Sequence, residues 1–331
     1  MSLRQRIATL AWLGFALALA GQDLRELSFM TAMPARPPPV IDGRLADPCW
    51  QSAVPNRNYY EFLKPNPRRV NTPRTECSVV YDDAGLTIGV VNHDDQIGKL
   101  KQAITKNHDG STWTDDCGEF YIDPDAQGIG FYKFVVNSLG KFDDLWRMDR
   151  ANTFADWNSA GVRSAAWVGT NRWELEIFIP WSDMGRRQPA RPGDLWMFNH
   201  SRFCMGRGWG NFSTSAPGGS YYSPEKFGYL HFSGGTAPDM RRIAQIISAR
   251  LNSKWGIEIG DTVMLNTDSG VRFTRLEEFR RETEEGLARL ATNCTAQLRV
   301  VNRPDLNRRL GQSLQALDKA VAECDGSFAG I

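Results

Sequence analysis

The 331-residue sequence lacks a strong charge of either sign: 39 Lys and Arg stand against 38 Asp and Glu. A near-neutral chain carries no electrostatic footprint for nucleic acid or an anionic membrane. None of the 6 cysteines sits in a C-x-x-C pair, so the commonest zinc-binding pattern is missing. There is no G-x-S-x-G element and no phosphate-binding P-loop. Past residue 20 no apolar run approaches the length that spans a bilayer.

The first 20 residues stand apart. Arg4 and Arg6 precede an apolar run from Ile7 to Ala20, ending in Ala18-Leu19-Ala20. A charged start, a short apolar stretch and small residues at its end predict a signal peptide cut after Ala20, hence secretion or export to a periplasm. No cysteine follows the cut, so no lipid attachment is signalled. Loss of Arg4 and Arg6 leaves 37 basic against 38 acidic residues, a net charge near −1. Export permits disulfides, but Cys49, Cys77, Cys117, Cys204, Cys294 and Cys324 are irregularly spaced and their pairing stays open.

Residues 21–36 read as a polar, then proline-rich leader, extended or disordered. Order is expected from Val40, with a tight turn at Asp42-Gly43 and Trp50 as a core anchor. The next 180 residues are rich in short alternating segments. Cys77, Val79 and Tyr81 share one face; Leu86, Ile88 and Val90 continue it after the turn Asp82-Asp-Ala-Gly85. Trp173, Leu175, Ile177 and Ile179 form another such face. Many strands at short spacing, separated by Gly/Pro turns, predict an antiparallel β-sandwich. After Gly234-Gly235 the pattern becomes helical, and residues 236–331 are expected to form an α-helical extension. Pro238-Asp239 opens one helix, Trp255 to Leu265 is ambiguous, and Phe273 to Leu298 is amphipathic. A further helix after Pro304 carries Leu306, Leu310, Leu314, Leu317 and Val321 in a heptad-like stripe. Residues 273–325 therefore offer a surface for self-association or a protein partner, the alternative being a stripe that docks on the sandwich or on its own preceding helix. In a helical hairpin turning near residue 302, Cys294 and Cys324 are offset by about 20 Å, too far for a bridge that needs about 7 Å.

The stretch with most chemistry is Trp113-Thr-Asp-Asp-Cys-Gly-Glu-Phe-Tyr-Ile-Asp123. Strand alternation puts Phe120 and Ile122 on the core face and Glu119 and Tyr121 on the other, with Trp113 at the mouth. Tyr132, Phe134 and Val136 face the core on the next strand, and Lys133, Val135 and Asn137 share the side of Glu119 if the strands pair in register. An aromatic ring beside a carboxylate on an open sheet face suits a polyhydroxylated ligand: the ring covers an apolar sugar face and the carboxylate accepts from hydroxyls. The competing reading is a core-flanking Trp and a solvated acidic face.

Taken in order, Ile41-Asp-Gly…Asp47-Pro-Cys-Trp50, Tyr81-Asp-Asp…Leu86, Trp113-x-x-Asp116-x-x-Glu119, Trp173-x-x-Glu176…Ile179-Pro-Trp181, Gly193-Asp…Phe198-Asn199 and Pro224-Glu-Lys-Phe-Gly228 resemble the family 9 carbohydrate-binding module, a DOMON-like β-sandwich. The resemblance covers about residues 37–233 and makes 37–235 the sandwich domain. It implies a non-catalytic module that holds a mono- or oligosaccharide between two aromatic rings, commonly attached to glycoside hydrolases and so to polysaccharide catabolism. By this resemblance Trp113 is one ring and Glu119 the hydroxyl-binding carboxylate. Tyr221 stands at or near the second ring, and Lys133, Asn199 and Ser201 are polar support. Three positions depart from the pattern: Tyr replaces Trp at the second ring, Val135 stands where an Arg can hold ligand, and Gly218 replaces an Asn. Calcium often braces this family, and Asp94, Asp95, Asp123 and Asp125 lie near turns where they could hold an ion. Ordinary turn chemistry is the alternative, and the favoured one.

Two other chemistries have candidate residues. Glycosidic hydrolysis wants two carboxyls about 5–5.5 or 6.5–9.5 Å apart. Asp115 and Glu119 are separated by roughly 13 Å of strand, whereas Glu174 and Glu176 are about 6.6 Å apart. An E-x-E strand face is ordinarily solvated or salt-bridged, so the pair is not read as catalytic. Haem binding, known in relatives of the sandwich, would need His93, His200 or Met197 as axial ligands; His200 shares core parity with Phe198.

Overall fold

The computed structural model describes residues 25–298 except 63–68, 71–72, 209, 216–219, 221, 235–237, 252–254, 260 and 268. The predicted signal peptide and the helix after Pro304, with Cys324, lie outside the described residues. The chain divides into two compact units, Leu27–Arg250 and the flanks Met1–Glu26 with Leu251–Ile331.

Strands are numbered along the chain, beginning with β1 (Arg25–Glu26), which belongs to the flanking unit. The large unit contains β2 (Phe29–Pro34), β3 (Tyr59–Glu61), β4 (Arg69–Val70), β5 (Thr75–Tyr81), β6 (Gly85–His93) and β7 (Cys117–Asp123). There follow β8 (Phe131–Asn137), β9 (Phe142–Arg147), β10 (Thr153–Phe154), β11 (Arg163–Val168) and β12 (Arg172–Pro180). The last three are β13 (Leu195–Cys204), β14 (Gly210–Ser213) and β15 (Gly228–Phe232). Their order across the curled sheet is β10-β9-β8-β7-β13-β15-β2-β5-β6-β12-β11. All ladders in this path are antiparallel except the two made by β2, which pairs parallel with both β15 and β5.

The sheet folds into a sandwich because every long strand alternates. Phe120, Ile122, Phe134, Val136 and Phe198 come from one leaf; Val79, Ile88, Val90, Trp173, Leu175 and Ile177 come from the other. They form one buried cluster. Each such side chain contributes roughly 1.5–3 kcal/mol by leaving water. The predicted core faces are those of the structure.

The expectation of a leader over residues 21–36 fails at β2. This strand lies between the two leaves, with Met30 and Ala32 inside the core cluster. The prolines at 34 and 37–39 mark the end of the strand, not its absence. Beyond it, the Asp42-Gly43 turn is clamped by β12. Glu176 accepts from the Asp42 and Gly43 amides (3.0 and 2.9 Å) and from the Trp50 indole (2.9 Å). Glu174 accepts from the Leu45 amide (2.9 Å) and from Arg172 (2.7 Å). Gly43 has φ +88°, and a Cβ there would stand 2.5 Å from the Ala166 backbone, so this docking requires glycine. The E-x-E pair is a structural clamp. Trp50 and Cys49 pack in the short helix α1 (Pro48–Ser52) against Val80. Cys49, Cys77, Cys117 and Cys204 are buried free thiols.

Helix α2 (Met240–Arg250) closes the large unit. Asp239 caps it, accepting from the Arg241 and Arg242 amides at 3.1 Å each. Its buried stripe is Ile243, Ala244 and Ile247. In the flanking unit the ambiguous Trp255–Leu265 stretch is β-structure. There β16 (Trp255–Ile259), β17 (Thr262–Thr267) and β18 (Gly270–Arg275) form an antiparallel meander joined by β1. Trp255, Ile257, Val263 and Met264 are its buried apolar residues. The amphipathic segment expected from Phe273 begins as strand and turns helical at α3 (Leu276–Leu298). Among the described residues no helix is long and apolar enough to cross a membrane.

Candidate functional site

Trp113 sits on a 3-10 turn, Thr112–Thr114, immediately before β7. The two aspartates that follow explain why this turn is held in place. Asp115 accepts from the Ala103 and Ile104 amides (2.9 and 2.8 Å) and from the Asn137 side chain (3.0 Å). Asp116 accepts from the Lys101 and Gly206 amides (2.8 and 2.7 Å). Burial raises the Asp116 pKa against the pull of those amides. Both carboxylates are tethers that bind the 101–104 segment to the root of β7. Trp113, which precedes them on the turn, is 48% exposed.

Register then decides which side chains share the Glu119 face. On β7, Glu119 lies between Ser201 of β13 and Val135 of β8; Tyr121 lies between Asn199 and Lys133. One strand further, Asp143, Leu145 and Arg147 of β9 stand opposite Val135, Lys133 and Phe131. The predicted in-register pairing therefore holds. The face is not open, however: Glu119 is 1% exposed, and Tyr121, Asn199 and Ser201 are fully buried. Phe62 packs with Cys117, Val135 and Phe203 at one end. Phe227 meets Tyr121 and Phe131 at the other, with ring centroids 5.4 and 5.6 Å apart.

Glu119 is the charged centre of this face. Its Oε1 lies 2.8 Å from Lys133 Nζ, and its Oε2 accepts a short hydrogen bond from the Tyr121 hydroxyl. Burial works against the Lys133 ammonium, but the Glu119 carboxylate more than offsets it. The lysine pKa ends above its usual value, with the Tyr222 phenol pushing the same way. Asn199 is a hub. Its Oδ1 accepts from the Ser213 hydroxyl (2.7 Å) and from the Ser215 amide (3.0 Å) and hydroxyl (2.7 Å), and Nδ2 donates to Ser201 Oγ (3.2 Å). It fixes the chain after β14 to β13.

Tyr221 lies outside the described residues. Its neighbour Tyr222 is 36% exposed, stacks on Phe131 at 5.8 Å and has the Arg147 guanidinium 4.9 Å over its ring. Tyr222, Arg147, Asp143 and Phe62 were not singled out from sequence. Asp143 and Arg147 were findable from alternation along Phe142–Arg147; Tyr222 and Phe62 reach the site through contacts distant in sequence.

The four aspartates considered for calcium have other partners. Asp94 meets Arg207 at 3.1 Å and Arg202 at 3.7 Å, and Asp95 pairs with Arg207. Asp123 accepts from the Asp125 and Gly128 amides (3.1 and 2.6 Å), and Asp125 pairs with Arg186 at 2.8 Å. Of the possible haem ligands, His200 is a core histidine. Tyr59 Oη lies 2.7 Å from its Nδ1, its ring stacks on Phe120 at 4.9 Å, and burial lowers its pKa to about 3. Met197, three residues away on the same strand, points to the opposite face.

A family model described as carbohydrate family 9 binding domain-like matches residues 41–234. Among solved structures, the chain is similar to a family 9 carbohydrate-binding module from Caldicellulosiruptor kristjanssonii in complex with cellotriose. Identity is 15%, coverage is 65% of this chain and 98% of that one, and the TM-score is 0.46. A family 9 module from the same organism in complex with glucose is similar at 15% identity over 64% of this chain and 99% of that one, with a TM-score of 0.45. Comparison with curated proteins returned no match.

Proposed function

Because the chain belongs to the carbohydrate family 9 binding domain-like family, we propose that its sandwich binds a mono- or oligosaccharide between Trp113 and the Glu119 face. The module is a non-catalytic binder. The observation that carries the reading is an exposed indole on a turn tethered by two buried aspartates, at the entry to the strand that carries the buried Glu119–Lys133 pair. The ring offers a flat apolar surface to the sugar's C–H face at little cost in side-chain entropy. Glu119 is buried and uses one oxygen for Lys133 and the other for Tyr121, so a ligand hydroxyl reaches its remaining lone pairs only if the cover over this face moves on binding. Asn199 and Ser201 serve the site by holding the 213–215 segment in place. Titration calorimetry of the full-length protein against a panel including glucose and cellotriose tests the reading. Saturable binding to at least one sugar is expected; no heat across the panel would overturn it.

The same reading includes export through residues 1–20 and service in polysaccharide breakdown outside the cytoplasm. The charged start and short apolar run support it. Intact-mass analysis of the secreted or periplasmic protein is expected to find a mature chain beginning at Gly21. Retention of Met1 in a cytoplasmic product would contradict it.

A further inference from the structure

Among the described residues, one group of side chains brings metal-ligating atoms together. His108, Asp143 and Asp144 each offer a ligand atom, all within 4.8 Å of one another. Asp144, 4% exposed, places Oδ1 3.1 Å from His108 Nδ1. Its Oδ2 is occupied by the Ser159 amide at 3.0 Å and by the Ser159 hydroxyl. One oxygen is thus fixed by a partner outside the group and the other is aimed into it, the arrangement by which a second shell orients a ligating carboxylate. The imidazole is held too. The His108 amide donates to the Phe142 carbonyl at 2.8 Å, and the ring sits edge-on to Phe142 at 4.7 Å.

Asp143 brings a second carboxylate to the same place. Two carboxylates and an imidazole in contact gain from a shared cation. The donor set also selects among cations. Calcium takes six to eight oxygens, whereas a nitrogen with two carboxylate oxygens suits a borderline ion such as zinc. Three protein ligands leave a fourth position open, and the His108 side chain is 30% exposed, which gives an ion a way in.

We propose that His108, Asp143 and Asp144 bind one divalent transition cation, zinc in the first instance, at the β9 edge of the sandwich. Asp143 shares its sheet row with Val135 and Glu119, so the ion would lie at the margin of the Glu119 face. The assignment stands apart from the sugar reading, and its test uses metal alone. Full-length protein is stripped with chelator, dialysed and titrated calorimetrically with zinc chloride, and separately with calcium chloride. His108→Ala and Asp143→Asn are titrated in the same way after their circular dichroism is matched to wild type. The expected result is one zinc per chain, calcium at least tenfold weaker, and zinc affinity down at least tenfold in each variant. Absence of a saturable zinc isotherm, tighter calcium binding, or unchanged zinc binding in His108→Ala would overturn the proposal.

Discussion

Two buried glutamates show how one residue type does two jobs. Glu119 and Lys133 neutralise each other under the proposed ligand. Removing one partner from a buried pair costs about 3–5 kcal/mol, because the other charge is left uncompensated. Lys133→Met is expected to lose stability in that range by urea denaturation, and pairing it with Glu119→Gln is expected to recover part of the loss. A loss below about 1 kcal/mol would mean the pair is effectively solvated. Glu176, the clamp on the Asp42-Gly43 turn, has its pKa pushed by burial up to about 7, despite three N–H donors favouring the ionised form. The folded chain therefore holds this proton more tightly than the unfolded one. The group's contribution is complete below about pH 4.5 and is lost as pH rises through about 7. The stability of wild type relative to Glu176→Gln should accordingly fall between pH 4.5 and 8. A difference that stays flat or grows over that window would contradict the assignment. The His200 shift acts in the opposite direction, since a depressed histidine pKa destabilises the fold as pH falls below about 6.5; the paired comparison removes it.

At the scale of elements, β2 is the most consequential departure from the sequence reading. Its neighbours on both sides are parallel, and it joins the two leaves. A chain starting at residue 37, which the leader expectation would tolerate, is predicted to be insoluble or molten. A soluble chain of that length with a cooperative thermal transition would contradict the role given to β2. The long antiparallel strands were legible because period-two alternation is a local signal: Phe120/Ile122, Phe134/Val136 and Trp173 to Ile179 need no knowledge of their partners. β2 was hidden because Met30 and Ala32, its core-facing residues, carry little strand preference and the prolines beyond them dominate the local composition. The meander β16–β18 was hidden in the same way, between two segments of helical period. Of the proposed site, the shared face of Glu119 and Lys133 was legible from parity, while Trp113 enters from the family pattern alone. The tethering by Asp115 and Asp116 was not, because their partners at 101, 103, 104 and 206 are set by loop closure rather than spacing.

For the whole molecule, the division into Leu27–Arg250 and its flanks predicts that residues 27–250 fold alone. This unit contains the complete strand path of the sandwich and every described residue of the proposed sugar site. It is expected to unfold in one transition and to keep the sugar affinity of the full chain. We further propose that the stretch 273–325 mediates self-association. Light scattering should then give a larger mass per chain for the full-length protein than for 27–250, and equal monomers would rule that out.

The central claim is that Trp113 forms one wall of a sugar site built on the Glu119 face. Calorimetric titration of wild type and Trp113→Ala with the sugar that binds tightest tests it most directly. Trp113 is about half exposed and lies outside the buried core, so the variant should fold with a nearly unchanged melting temperature and bind at least tenfold more weakly, a loss of about 1.4 kcal/mol or more. Equal affinity in the two proteins would contradict the account and place the sugar elsewhere on the sandwich.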